Sequence, residues 1–586
     1  MKFNCVFSAV ATCLFAFSST ADQNAFRVTP YVQHPSPTAM SLLWLAQGAG
    51  DACVEVWKDG SSEVRTLMAV EREDLAADVT GGRFADDNVL QYCVAPELSY
   101  TNSVENGDNY PAYTRESKSA GWSMPYTVPY QYRVRLTGLE ANTLYRYRVT
   151  LDGDGAVYEN KFRTAPDPLA WRGFKFIYFS DSETEPADNP DLTGRTTDWS
   201  EPGSTDATHD RTYFATQTEC YASNLCAAVD FGTDLIVMAG DLAQKGSRQC
   251  DWDEFWRHNA GQLNDPAGSI PILASPGNHD YYSYVDGGTV ATRKYLSYFE
   301  YEKNGAAVDP DQQERFHRVD YGPVTFIFLD ANNGDDSKTD PTHDTNHYIS
   351  REASGRHDNG ANSGIGCRAP DFNPGSVQYQ WLEAQLKDAQ KKSAFTFIVT
   401  HQCPFSAGYH GRPVEQDGER LSGQPLRVLL PLMHKYGVDG WLAGHDEMME
   451  RAVTEGTETL PSGEEVPHSF FVWDMGIAGD GMRGCRLYDG NTNEQYRADV
   501  DCPEVWKDGI LVEGGKHYGH LEVTIDQTAD GRWRATFDPV YVFFNADANG
   551  KPVYGGVRHY ADKQVRISNR NAGSGSDKSG LQLFFK

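Results

Sequence analysis

Six apolar runs in the middle of the chain, FKFIYFSD (174–181), DLIVMAGD (234–241), IPILASPGNHD (270–280), VTFIFLD (324–330), AFTFIVTHQ (394–402) and DGWLAGHDE (439–447), each close on polar residues that include Asp, His or Glu. Runs this continuously apolar read as strands buried on both faces, not as the alternating strands of a one-sided sheet. Helix-like segments separate them at 213–231, 377–391 and 425–436. Buried strands alternating with helices predict an α/β domain, here over residues 171–568. In such sheets ligands bind beyond the carboxyl ends of the strands, so the six polar termini are expected to converge on one place.

The chain ahead of that domain reads differently. FRVTPYVQ, AMSLLWLA, CVEVW, QYRVRLTGL and LYRYRVTL are short, mostly alternating and separated by turn residues, which predicts an all-β sandwich over residues 24–165. Within it Leu139, Thr143 and Tyr145, followed by Tyr147 and Val149, resemble the tyrosine corner of fibronectin type III domains. The long polar stretch 71–127 is expected to be an elaborated loop reaching over a neighbouring domain. Residues 203–210 and 332–373 read as surface loops near the rim of the site, with Asp335 and Asp336 as solvated charges. Beyond Glu447 come glycine-rich turns, then strands LEVTID, WRATFD and VYVFF, and residues 569–586 are expected to form a flexible tail.

At 586 residues the chain exceeds what one core supports. Its 82 acidic against 52 basic residues, a formal charge of −30, argue against nucleic acid or an anionic membrane as partner. Lys2, an apolar stretch from Val6 to Phe17 and the small residues Ser19, Thr20 and Ala21 predict a signal peptide over residues 1–21, hence a secreted or periplasmic protein. No other apolar run is long enough to span a bilayer. Of eleven cysteines, Cys5 and Cys13 leave with that peptide. The remaining nine are an odd number, and Cys53–Cys93 and Cys485–Cys502 are the expected disulfides.

Five of the strand ends carry a coherent chemistry: Asp181 with Glu183; Asp241; Asn278, His279 and Asp280; His401; and His445 with Glu447. Carboxylates, a carboxamide oxygen and imidazoles together suit two adjacent cations, with one aspartate able to bridge them. No serine sits in a nucleophile elbow, and Cys403 lacks an activating partner, so it reads as a core or disulfide cysteine.

With these motifs in order, the chain resembles the metallophosphoesterase superfamily and, within it, the purple acid phosphatases, which also place a fibronectin-like domain ahead of the catalytic one. The resemblance rests on Asp181, GD at Gly240, GNHD at Gly277, VTH at Val399, GHDEMMER from Gly444, the run of Gln378, Trp381 and Leu382, and PFSAGYHG after His401. It implies an α/β catalytic fold of sheets between helices and a dinuclear centre. One ion would take Asp181, the bridging Asp241, Glu447 and Glu183; the other Asp241, Asn278, His401 and His445. Three positions depart from the family pattern: Glu183 stands in a histidine's place, Gln244 in that of the colour-giving tyrosine, and Glu447 in a second histidine's. The first site is then all oxygen, favouring calcium, manganese, magnesium or ferric iron, while the second suits zinc, manganese or iron. Without the tyrosine the protein is expected not to be purple. Glu183 and Glu447 have an alternative, pairing with a neighbouring Lys or Arg and leaving a single ion.

Two cations about 3.5 to 4 Å apart acidify a water, and the hydroxide attacks a phosphate ester in line while the cations neutralise the phosphoryl oxygens. His279, held by Asp280, would protonate the leaving group, and His410 is either a phosphate contact or an ordinary loop histidine. The expected function is an exported phosphatase acting on a small phosphate ester. The alternatives are a phosphodiesterase or nucleotidase of the same fold, or a silent metal-binding relative.

Overall fold

Among the described residues, eight short strands build the N-terminal unit: β1 (Phe26–Gln33), β2 (Ala39–Ala46), β3 (Ala52–Lys58), β4 (Arg65–Leu67), β5 (Glu71–Asp74), β6 (Tyr130–Thr137), β7 (Leu144–Leu151) and β8 (Val157–Arg163). They pair into two four-stranded antiparallel sheets, β1-β2-β6-β5 and β4-β3-β7-β8. Alternation along β3, where Ala52, Val54 and Val56 turn inward, buries one face of each sheet around Trp44, Tyr132 and Tyr147. The backbone N–H of Glu140 donates to the Tyr145 hydroxyl at 2.9 Å, the local tie that the tyrosine-corner pattern predicts. The computed structural model describes residues 25–46, 48–67, 70–74, 130–151, 155–167, 172–184, 217–244, 246, 249–261, 264–281, 289–307, 312–332, 370–413, 416, 422–479, 491–498, 505–507, 510–513, 517–548, 552–568 and 570. The expected signal peptide, both expected disulfides, Asp335 with Asp336, residues 203–210 and most of the loops 71–127 and 332–373 lie outside these residues.

The second unit follows from the six apolar runs. They form β9 (Phe174–Phe179), β10 (Leu235–Met238), β11 (Ile272–Ala274), β13 (Val324–Phe328), β14 (Phe395–Gln402) and β15 (Gly440–Gly444), with β12 (His317–Tyr321) antiparallel to β13. After them come β16 (Met449–Thr459), β17 (Glu465–Met475), β18 (Glu494–Ala498), a small hairpin of β19 (Val505–Lys507) and β20 (Ile510–Glu513), then β21 (Gly519–Gln527), β22 (Trp533–Ala546), β23 (Pro552–His559) and β24 (Gln564–Ser568). One sheet runs β11-β10-β9-β21-β22-β23 with β24 also on β22; the other runs β12-β13-β14-β15-β17-β16-β18. WRATFD and VYVFF, two strands in the sequence reading, are the single strand β22, which continues through Pro539.

Both sheets are covered on both faces, which is why their sequences lack alternation. Phe176 of one sheet meets Phe326 of the other edge-on, 5.1 Å between ring centres, and Phe397 meets Phe537 at 5.9 Å. The outer face of the first sheet (Ile177, Phe179, Ile236, Met238) packs on α1 (Gln217–Phe231), α2 (Gln249–Asn259) and α3 (Thr289–Tyr298) through Tyr221, Trp252, Phe255 and Tyr295. That of the second (Ile327, Ile398, Trp441) packs on α4 (Val377–Lys392) and α5 (Leu430–Lys435) through Leu382, Leu386 and Met433. Each such side chain contributes about 1.5–3 kcal/mol when buried. The sandwich docks on the first sheet's helices: Arg27 makes a two-point buried contact with Asp253 at 3.0 and 2.7 Å, and the Gln33 amide donates to the Ile272 carbonyl at 3.1 Å, on β11 itself. At the other end Arg570, inside the expected tail, is pinned by Gly437 at 2.6 Å and Glu458 at 3.1 Å. No helix among the described residues is long and apolar enough to cross a membrane.

Candidate metal centre

Strands β9, β10 and β11 are parallel neighbours in one sheet and β14 and β15 in the other. Their carboxyl ends therefore meet where the two sheets face each other, and Ser180 N–H donates across to Met475 O at 3.1 Å. The strand ends approach closely enough that side chains are excluded between them. A Cβ on Gly240 would lie 2.6 Å from Gly277 N, and one on Gly277 would lie 2.0 Å from Asp241 Oδ1.

The backbone at this junction is strained in a systematic way. Seven non-glycine residues among those described have positive φ, and five of them are Asp181, Glu183, Asp241, His445 and Glu447. Such conformations cost free energy and persist where the surroundings over-determine them. Here they aim five polar side chains inward.

Around His401 the geometry is that of a cation cage. Its Nδ1 donates to the Ala239 carbonyl at 2.7 Å, which leaves Nε2 facing Asp241 Oδ2 at 2.9 Å, Asn278 Oδ1 at 2.9 Å and His445 Nδ1 at 3.1 Å. Three donors about 3 Å from His401 Nε2 are close to the roughly 3.3 Å donor–donor separation of a tetrahedral site whose metal–nitrogen bonds are about 2.0 Å. A carbonyl that accepts from the other ring nitrogen fixes the tautomer and the ring orientation, as is usual for a metal-binding histidine. Burial opposes charge on His401, yet Asp241 and Asp181 outweigh it and push the imidazole up to about 9. Burial likewise works to raise Asp241, and His401 and His279 overcome it and hold that carboxyl below its ordinary range.

The second group is all oxygen. Donor atoms of Asp181, Glu183 and Glu447, all buried, lie within 4.8 Å of one another, and Asp241 joins Glu183 and His279 in an overlapping group on the same criterion. Burial pushes Asp181 up to about 6, against the pull of His401, and the His445 N–H donates to its Oδ2 at 2.9 Å. The buried Gln244 Oε1 accepts no hydrogen bond among the described residues. These donors fit a pair of cations, one with imidazole ligands and one with oxygen alone, Asp241 lying between them.

His279 and Asp280 depart from expectation in their partners. Asp280 does not hold His279: its Oδ1 accepts from Leu242 N at 3.1 Å and Ala243 N at 3.4 Å, and its Oδ2 from Gly277 N at 2.8 Å. Asp280 thus laces the loop after β11 to the loop after β10, and burial, then Asp241, pushes it up to about 7. The His279 ring is held by Gln244, whose carbonyl accepts from Nδ1 at 2.9 Å, with Glu183 Oε2 3.4 Å away. Its side chain is 21% exposed, whereas that of His401 is fully buried, so His279 faces the opening. His410 stacks on His445 with 4.2 Å between ring centres, and its backbone N–H donates to Asp446 Oδ1 at 2.9 Å. Cys403 is a buried core cysteine. Asp446 and the Gln244 carbonyl were not singled out in the sequence; only their positions beside site residues point to them.

The calcineurin-like phosphoesterase family model matches residues 213–447, from just ahead of α1 to Glu447. Those residues match a calcineurin-like phosphoesterase domain, and with Asp181 and Glu183 just past β9 the chain has a metallophosphoesterase fold. That fold is purple acid phosphatase-like. The probable purple acid phosphatase 20 of Arabidopsis thaliana is 36% identical over 81 residues, 14% of this chain and 18% of its own. Purple acid phosphatase 21 of the same plant is 23% identical over 363 residues, 61% of each chain. The chain thus spans less than two thirds of either curated relative. Among solved structures, purple acid phosphatase PPD1 from yellow lupin (Lupinus luteus) seeds superposes with a TM-score of 0.54 at 15% identity, covering 95% of this chain and 77% of that one. PhoD superposes with a TM-score of 0.50 at 11% identity, covering 97% and 93%.

Proposed function

We propose that the chain is an exported metal-dependent phosphatase that hydrolyses small phosphate esters at the junction of its two sheets. The observation that carries this reading is that Asp241 groups with His401 and His445 on one side and with Glu183 on the other, and Glu183 in turn belongs to an all-oxygen group with Asp181 and Glu447. A bound pair of cations supplies the charge that acidifies a water and neutralises the phosphoryl oxygens. The chain's own residues do the rest. Asp181, Glu183 and Glu447 would hold one ion and Asn278, His401 and His445 the other, with Asp241 placed to serve both. His279, the partly exposed imidazole of the site, delivers a proton to the departing alkoxide, with the Gln244 carbonyl orienting its ring. His410, buried against His445, is the second imidazole placed to contact the phosphate.

The test is a panel of phosphomonoester, phosphodiester and nucleotide substrates, assayed after chelation and after restoring zinc, manganese, magnesium, calcium or iron. Metal-dependent turnover of a monoester is the expected outcome. Full activity in metal-free protein refutes the reading, and preferential turnover of diesters or nucleotides replaces it with the corresponding esterase. Gln244 in place of a tyrosine predicts no visible charge-transfer band in the loaded protein.

A further inference from the structure

One of the six apolar runs, VTFIFLD, ends on a carboxylate that neither metal group uses. Asp330 follows β13, is fully buried, and sits in a polar hub beside the centre. Its Oδ2 accepts from Arg315 Nε at 2.7 Å and from the Tyr281 hydroxyl, and the Arg315 guanidinium lies over the Tyr281 ring at 4.7 Å. Its Oδ1 accepts from Asn332, from the backbone N–H at 3.0 Å and from the side-chain amide at 3.3 Å. The Gln378 side chain clasps its backbone, accepting from the Asp330 N–H and donating to the carbonyl, both at 3.0 Å.

Asn332 carries the hub into the metal centre. Its amide nitrogen donates to the Pro276 carbonyl at 2.9 Å, two residues before Asn278, and its Oδ1 accepts from Gln402 Nε2 at 2.7 Å, one residue after His401. Pro276 follows β11 of the first sheet, and Gln402 ends β14 of the second. One side chain thus spans the gap between the sheets at the level where Asn278 Oδ1 and His401 Nε2 stand 2.9 Å apart. The loop from Pro276 to Tyr281 is held at both ends, by Asn332 at its start and Asp330 at its finish.

Apolar packing between two sheets is non-directional and lets them slide by more than the roughly 0.2 Å tolerance of a metal–ligand distance. Short buried hydrogen bonds are directional and resist that sliding. We infer that Asn332, oriented by Asp330, is a positioning residue that fixes the separation of Asn278 and His401 and so sets the cation affinity of the imidazole-containing site. The inference rests on the reading that this site holds a cation.

Cobalt(II) is the probe, because its visible bands report imidazole coordination independently of turnover. Metal-free full-length protein, wild type and Asn332→Ala, is titrated with Co²⁺ and then competed with a chelator. The expected result is about 10- to 100-fold weaker binding at the imidazole-containing site and changed band intensity, the scale of lost outer-shell partners, with affinity at the oxygen-only site unchanged. If Asn332→Ala fails to fold, judged by its metal-free melting curve, Gln402→Met removes only the β14 end of the bridge and is expected to weaken Co²⁺ binding in the same direction by a smaller factor. Wild-type affinity and spectrum in the folded variant overturn the inference while leaving the metal centre standing. A wild-type protein that takes up no Co²⁺ overturns both.

Discussion

Replacing Gly277 with alanine tests whether the close approach of strand ends builds the metal centre. The new Cβ would fall 2.0 Å from Asp241 Oδ1 and 2.3 Å from Asp241 N. Even the tightest contact real Cβ atoms make is 3.0 Å, so the shared carboxylate or the loop after β11 must yield by about 1 Å, against a tolerance of roughly 0.2 Å for metal ligands. Neither can yield freely, because Asp241 Oδ1 also accepts from His279 N at 2.8 Å and the loop is laced by Asp280. A misplacement of that size costs on the order of 10²-fold in rate, about 2.7 kcal/mol. The expected outcome is loss of at least one equivalent of metal, measured by elemental analysis, together with that drop in kcat/KM. Gly463→Ala is the control: φ there is +86° but nothing lies within 4 Å of the new Cβ, so strain of about 1–2 kcal/mol lowers the melting temperature while metal content stays put. A Gly277→Ala protein with full metal content and wild-type turnover would refute the reasoning.

His279→Ala should lower kcat by roughly 10²- to 10⁴-fold for alkyl phosphates and much less for aryl esters whose leaving group needs no proton; equal losses on both would assign the imidazole to phosphate binding. Burial pushes Glu450 from the ordinary 4.5 up to about 8, so the folded chain keeps a proton there that the unfolded chain releases. That contribution to stability is full below about pH 4.5 and disappears as pH rises to about 8, at a slope of up to about 1.4 kcal/mol per unit. Glu450→Gln should therefore flatten the decline in melting temperature of the metal-free protein between pH 5 and 8, and an unchanged decline contradicts the assignment. Arg27→Met strips Asp253 of a partner across an interface where both side chains are 1% exposed; a loss of about 3–5 kcal/mol is expected in denaturant titration, largely recovered by adding Asp253→Leu.

Much of the fold was legible because burial on both faces erases alternation, and six such runs ending in polar residues allow few architectures. Asp241, Asn278, His401 and His445 could be named because a strand end converts sequence position into spatial position. Asp280 was misassigned for a different reason: an aspartate beside a histidine reads as its partner, but three backbone N–H groups lay nearer, and backbone donors leave no mark in a sequence. The left-handed conformations at Asp181, Glu183, Asp241, His445 and Glu447 were equally invisible, since these residues carry no glycine-like signal at positions where glycine would relieve the strain. Asp330 was visible as a strand end, but its role depends on Asn332 touching two sheets at once, a relation that no local pattern encodes.

The position of β21 sets when the catalytic apparatus can exist. β9, which delivers Asp181 and Glu183, lies between β10 and β21, and β21 is reached only after more than half the chain has followed β9. During synthesis β9 waits with one edge unpaired, and contacts so distant in sequence form late and slowly. The five strained candidate ligands are not held in their left-handed geometry until that edge is closed. Cations are therefore selected by the finished molecule from the surroundings in which it completes its folding, and the ion inventory of that place, as much as the donor set, decides which metals this chain carries.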